Sequence, residues 1–195
     1  MNWTIPGTVL QMPRQEAEHI AEQFSSLFLA GGIVLSQVSG ITGLEPYTVQ
    51  NWVKRGFLTP PEKKRYSLQQ LCRIISINML KNVLPMERVC GLLGYINGQL
   101  DDASDDMIDD AVLYFLFVRL AARVKELDQA ADRDALLEKA LEDYREPIPG
   151  AKERVKTVLR IMLTAWLAAR MQQEAEQLLD QLSATPSRQT IDKGE

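Results

Sequence analysis

Apolar positions along this chain recur at intervals of three and four, the signature of helices that bury one face. Residues 14–29 place Ala17, Ile20, Ala21, Phe24, Leu27 and Phe28 on one side, and Gly31-Gly32 ends the pattern. Residues 36–43 suit a shorter helix with Val38 and Ile41 inward and Gly43 as the turn. Glu45 is placed to cap the next helix, and Pro46 fits its first position because the missing N–H has no partner there anyway. Val49, Trp52 and Val53 follow at core-facing spacing, so Thr48, Gln50, Asn51, Lys54 and Arg55 face outward until Gly56 stops the helix.

Residues 59–65 read as a tight loop stiffened by Pro60-Pro61. Ser67-Leu68-Gln69-Gln70 is a capping box that starts the next helix. Its stripe is Leu68, Leu71, Cys72, Ile75, Met79 and Leu80. Pro85 opens a further helix carrying Val89, Leu92 and Leu93, with Gly94 as its expected end. Beyond Asn97-Gly98, three helical patterns follow. Residues 105–127 carry Ile108, Ala111, Val112, Phe115, Leu116, Val118 and Ala122. Residues 131–144 carry Leu136, Leu137, Ala140 and Leu141. Residues 152–182 carry Val155, Val158, Leu159, Met162, Leu163, Trp166, Leu178, Leu179 and Leu182.

No segment alternates with period two, so the fold class is all-α, with room for a tiny β-wing in residues 57–66. The organisation expected is an N-terminal arm and helix over 1–32, a small module over 33–98, a helical C-terminal domain over 99–183 and a disordered tail over 184–195. Residues 2–13 read as an irregular arm that Trp3, Ile5, Val9 and Leu10 pin to the core.

Charge sharpens this division. The whole chain carries −4, yet residues 46–90 hold eight basic side chains against Glu62 and Glu87, a balance of +6. Residues 101–195 hold 13 basic and 20 acidic residues, a balance of −7. A basic patch on an acidic whole suits a nucleic-acid-binding module joined to a separate partner domain. The opening lacks a basic segment followed by an apolar one, so no secretory signal is expected. The stretch 111–122 is too short to span a bilayer and is broken by Arg119. Cys72 and Cys90 fall in helical patterns as small hydrophobes. A cytoplasmic protein that avoids membranes is the expectation.

The outward face of the 46–55 helix carries the chemistry. The major groove displays a distinct donor and acceptor pattern for each base pair, and a helix reads it with short polar side chains near its N-terminus. Gln50 and Asn51 are able to pair bidentately with adenine, and Thr48 to touch a thymine methyl or a phosphate. Lys54, Arg55, Lys63, Lys64 and Arg65 are placed to meet phosphates, which supply affinity without sequence information.

Residues 48–58, Thr-Val-Gln-Asn-Trp-Val-Lys-Arg-Gly-Phe-Leu, resemble the recognition-helix signature of MerR-like regulators. Arg65-Tyr66-Ser67 with Leu71 is similar to that superfamily's wing-to-helix junction, and Leu84-Pro85-Met86 with Val89 and Leu92-Leu93 to its following helix pair. The whole chain resembles a YkrK-like bacterial family, a domain of unknown function with a MerR-like DNA-binding part. The resemblance implies a MerR-like winged helix-turn-helix followed by a helical C-terminal domain, acting as a transcriptional regulator on double-stranded DNA. The chain departs from the usual pattern at Gln50 and Asn51, where Arg and Tyr are common, and it has no cysteine cluster for metal sensing. A homodimer is expected because palindromic operators are read by two-fold pairs. The resemblance names no effector. The rival reading is a helical interaction adaptor that keeps this fold without binding DNA.

Other constellations add little. Asp101-Asp102-Ala103-Ser104-Asp105 matches a magnesium-holding pattern of isoprenoid synthases, but acidic residues also belong at a helix N-terminus, and no second metal motif accompanies it. His19 sits among Glu16, Glu18 and Glu22 without catalytic partners. No glycine-rich phosphate loop follows a strand. Neither an enzyme nor a cofactor is expected.

Overall fold

The computed structural model describes residues 2–97, 106–124 and 130–184. The protein is mostly helical. β1 (Asn2–Thr4) and β2 (Gln11–Pro13) form an antiparallel hairpin with Trp3 opposite Met12. A 3-10 turn at Arg14–His19 leads into α1 (Ile20–Ser26). β3 (Ile33–Val34) precedes α2 (Leu35–Thr42) and α3 (Pro46–Lys54). β4 (Arg65–Tyr66) pairs antiparallel with β3, Ile33 opposite Tyr66. Then come α4 (Leu68–Leu80), α5 (Met86–Asn97), α6 (Asp110–Arg123), α7 (Ala130–Ala140) and α8 (Ala151–Ala184).

The centre is the α4–α6 pair. Ile74, Ile75, Ile77 and Leu80 of α4, with Leu113, Tyr114 and Phe117 of α6, are fully buried. A helix apolar nearly all round needs cover on every side, and α1, α5, α7 and α8 provide it. One contiguous cluster runs from Trp3 to Leu167. Phe24 meets Phe115 edge-on at 5.8 Å, and Trp166 of α8 meets Trp3 and Phe117 edge-on at 6.3 and 6.1 Å.

The N-terminal segment is more ordered than the sequence predicts. Trp3, Ile5 and Met12 are buried, and the Val9 N–H donates to the Ile41 carbonyl at 3.0 Å. The Val9 side chain itself stays exposed, so the hairpin is pinned through Trp3 and Ile5 rather than through Val9. The Tyr114 hydroxyl, fully buried, donates to the Pro6 carbonyl at 2.9 Å. Gly7 turns this hairpin with φ of 76°, and a Cβ there would lie 2.6 Å from the Ile75 carbonyl oxygen.

Several boundaries move for identifiable reasons. The single helix expected over 14–29 is a 3-10 turn and a short α-helix. Only Ala17 is buried in the first part, so no apolar stripe holds it at α-helical pitch, whereas Ile20 and Phe24 anchor the second. Leu27 and Leu29 lie past the helix and are exposed. α5 runs through Gly94 to Asn97, because Leu93 and Ile96 are both fully buried and that burial outweighs the roughly 1 kcal/mol cost of a helical glycine. α6 starts at Asp110 because Asp109 caps it, its carboxylate accepting from the Ala111 and Val112 N–H groups at 2.8 and 3.2 Å. Val112 faces solvent. The Asp101–Asp105 motif and residues 185–195 of the expected tail lie outside the described residues.

The largest departure is α8. It is buried at every turn from Ala151 to Leu167, but residues 171–182 are exposed throughout. Leu178, Leu179 and Leu182 therefore face solvent rather than the core. Among the described residues, no helix is long and apolar enough to cross a membrane.

Candidate nucleic-acid interface

Val49 and Trp52 hold α3 to the core, with Val53 half-buried beside them. Pro46 occupies the first turn, and Glu45 precedes it in an extended conformation without a side-chain cap. Gly43, at φ of 70°, ends α2 and makes the turn into α3; a Cβ there would lie 2.8 Å from Val9 Cγ1. Gln37 fixes the start of α2, its Oε1 accepting the Val34 N–H at 3.0 Å. The helix pair is thus set by local turn chemistry at both ends.

Gln50, Asn51, Lys54 and Arg55 are exposed, and Thr48 is half-buried. Sequence reasoning missed Tyr47, 64% exposed. At 100° per residue Tyr47, Asn51 and Lys54 share the most outward line of α3. The 3.6-residue period contained that signal, but an aromatic ring reads as a core residue as readily as an exposed one.

The loop before β4 is a two-residue hairpin turn. The Arg65 N–H donates to the Glu62 carbonyl at 2.8 Å, and Lys63 and Lys64 take φ of 48° and 65°. A type I′ turn demands positive φ at both central positions and is usually built from Asn and Gly. Here two lysines adopt it, which displays both ammonium groups at the tip at the cost of backbone strain. The Lys63–Lys64 tip is carried by β4, whose pairing with β3 ties it to the start of α2. The strand expected within residues 57–66 is thus only Arg65–Tyr66, and its partner, Ile33–Val34, lies outside that range. Gln70 secures the loop's other side, its Nε2 donating to the Thr59 carbonyl at 3.0 Å and hydroxyl at 2.9 Å, while Ser67 and Gln70 form the capping box of α4.

The expected cations fall into two groups. Arg55 is turned toward α5, 3.4 Å from Glu87, with its guanidinium 4.6 Å from the Phe57 ring centroid. Arg65 donates to the Gly32 carbonyl at 2.8 Å and so latches β4. Lys54, Lys63 and Lys64 make no ion pair among the described residues. Gln50, Lys54 and Lys64 line one cavity of about 710 Å³. Its floor is Val34, Leu35, Val53, Pro61 and Tyr66. Burial pushes the Tyr66 phenol above its ordinary range, so it stays neutral. Trp52 and Tyr66 are core residues, with the Lys81 ammonium 5.9 Å from the Trp52 ring.

Elsewhere, Cys72 and Cys90 are free thiols, and burial pushes both upward in pKa. His19 is exposed, 3.6 Å from Glu22.

Residues 21–117 match the family described as Domain of unknown function (DUF1836). This stretch runs from α1 into α6 and contains both α3 and the lysine turn. The chain is also similar to the "Uncharacterized protein YkrK" of Bacillus subtilis (strain 168), 24% identical over 118 residues, which is 58% of this chain and 51% of that relative. The match thus spans about half the relative's length. No solved structure gives a significant match. Together the two sequence matches support a YkrK-like family of uncharacterised proteins.

Proposed function

We propose that this chain is a DNA-binding transcriptional regulator with a MerR-like winged helix-turn-helix. In this reading α3 enters the major groove and the Lys63–Lys64 turn grips a flanking phosphate. The observation that carries it is the shared surface of Gln50, Lys54 and Lys64, drawn from two elements that α2 and the β3–β4 pairing bring together. Base-reading side chains flanked by unpaired cations are what groove recognition needs. The C-terminal helices make their main contacts with α1, α4, α5, the 3-10 turn and each other, while α3 packs chiefly on α2, which leaves the outward face of α3 uncovered by them. Tyr47 joins the face as a phosphate or sugar donor. A homodimer matches the two-fold symmetry of operator sites.

A specific observation favours the adaptor as second reading. The cavity floor beneath Gln50 is apolar, which suits a peptide side chain as well as a duplex edge.

The deciding experiment is selection from a random duplex library followed by anisotropy titration against salt. DNA binding predicts an enriched motif and an affinity that falls linearly on logarithmic axes as salt rises. Failure to bind any duplex at low salt eliminates the regulator and leaves the adaptor.

A further inference from the structure

A second cavity, of about 890 Å³, lies behind the lysine turn, between residues 58–66, the start of α4, Asn97 at the end of α5 and Asp106, Asp109 and Asp110 at the start of α6. Its volume is in the range that encloses small metabolites. At its inner end sit Arg73 and Asn97, 6% and 5% exposed. Arg73 is paired with Asp110 at 3.2 Å, and Asn97 Nδ2 donates to the other Asp110 oxygen at 3.0 Å. That bond fixes which way the amide points. It leaves Asn97 Oδ1 buried with no donor. A buried acceptor without a partner is costly, and such exceptions in folded proteins call for a water or a ligand.

The wall is also polarised. Asp106, Asp109 and Asp110 outnumber Arg73 on the side of α6, whereas Lys63 and Arg65 outnumber Glu62 at the outer rim. Phe28 and Leu68 supply apolar surface between them. We propose that this cavity binds a small dipolar metabolite. An amino or amide N–H end would donate to Asn97 Oδ1 beside the Asp109–Asp110 carboxylates, and a carboxylate or phosphate end would meet Lys63. The site stands independently of DNA binding. Where the regulator reading holds, an occupant touching Lys63 also acts on the turn that presents Lys64.

The test is calorimetric titration of the full chain, without DNA, against a fixed panel. The panel contains the amino acids, AMP and CMP as nucleotides bearing an exocyclic amine, ribose 5-phosphate as a counterpart with no N–H donor, spermidine as a pure cation and citrate as a pure anion. Expected is binding of a dipolar, N–H-bearing member with Kd under about 1 mM. Asn97→Ala and Lys63→Glu should each weaken it by about tenfold, the loss of one charge-assisted or buried contact. An amino acid and a nucleotide hit distinguish the carboxylate from the phosphate source. Lys54→Ala, outside this cavity, leaves metabolite binding unchanged and weakens DNA alone, which separates the two proposals. The inference is overturned by no binding from the panel, by spermidine or citrate binding as tightly as the dipolar members, or by unchanged binding in either variant. Should Asn97→Ala fail to fold, Lys63→Glu on the exposed turn decides.

Discussion

Arg73 Nη1 lies 3.2 Å from Asp110 Oδ2, with only 7% and 14% of the two side chains exposed. The pair joins the middle of α4 to the first residue of α6. Arg73 Nε also donates to the Phe57 carbonyl at 3.3 Å, just beyond α3, so one guanidinium ties the candidate interface to the central helix. Removing one partner strands the other charge in a poorly solvated place. Arg73→Met should therefore destabilise the protein by about 3 kcal/mol, while Arg73→Met with Asp110→Leu should recover most of that loss. Urea melts of the two variants decide; equal losses would mean the pair contributes net stability of its own.

The same pair makes a pH prediction. Burial raises the Asp110 carboxyl above its ordinary 3.8, with Arg73 holding it partly down and Asp109 adding to the rise. A folded pKa above the unfolded one gives stability that is complete below the unfolded value and is lost as pH climbs through the folded value. The stability difference between the natural chain and Asp110→Asn should fall as pH rises from about 3.8 and then level off. Melts across the acid range measure it, and a difference that grows with pH would mean the Arg73 contact outweighs burial.

Two lysines in left-handed backbone are an expensive way to build a hairpin turn. Each costs about 1 kcal/mol against glycine. Lys64→Gly should stabilise the fold by about that amount and also weaken DNA binding, reducing the salt slope by about one unit. A raised melting temperature with unchanged DNA affinity would leave the strain in place and remove its functional explanation.

Gln50 and Lys54 share a face and a cavity but should fail differently. Gln50→Ala is expected to relax preference at one base position by about 1–3 kcal/mol of discrimination. Lys54→Ala should weaken all duplexes alike and flatten the salt dependence. Selection profiles for the two variants, set beside their anisotropy titrations, read both effects.

What could be read in advance follows from where information is local. Pro46, Gly43, Gly56 and the Ser67–Gln70 box are short-range signals, and α2, α3 and α4 lie within a residue or two of where those signals put them. The outward phase of Gln50, Asn51 and Lys54 came from the same periodicity. The β3–β4 pairing did not, because strands of two residues leave no alternation to read. Nor did the roles of Arg55 and Arg65. Each carries a positive charge suited to phosphate, but Glu87 and the Gly32 carbonyl, 32 and 33 residues away, take them up. Asp110 hid inside an acidic run whose helix-capping role belongs to its neighbour, Asp109. The end of α8 misled for another reason. Its leucines keep a helical stripe, and a stripe reports that a face is to be covered without saying by what.

That stripe carries the last prediction. α8 has 34 residues, a length of about 50 Å, and its final three turns leave the body of the protein. Met171, Leu178 and Leu182 are 56%, 56% and 74% exposed. With Ala175 they follow spacings of four, three and four, the seam of a two-helix coiled coil. A projecting helix of this length is marginal alone in water, so its apolar seam needs a partner helix. A second copy supplies an identical seam and the two-fold symmetry that operator recognition asks for. The full chain should run as a dimer in light scattering. Leu178→Glu should give monomers whose thermal melt is little changed, because the core ends at Leu167. Its affinity for a two-site duplex should fall while affinity for a half-site stays, the loss being one of avidity rather than contact. A natural chain that runs as a monomer at micromolar concentration, or a Leu178→Glu variant that stays dimeric, would remove α8 from the assembly and require that its seam be covered by some other protein.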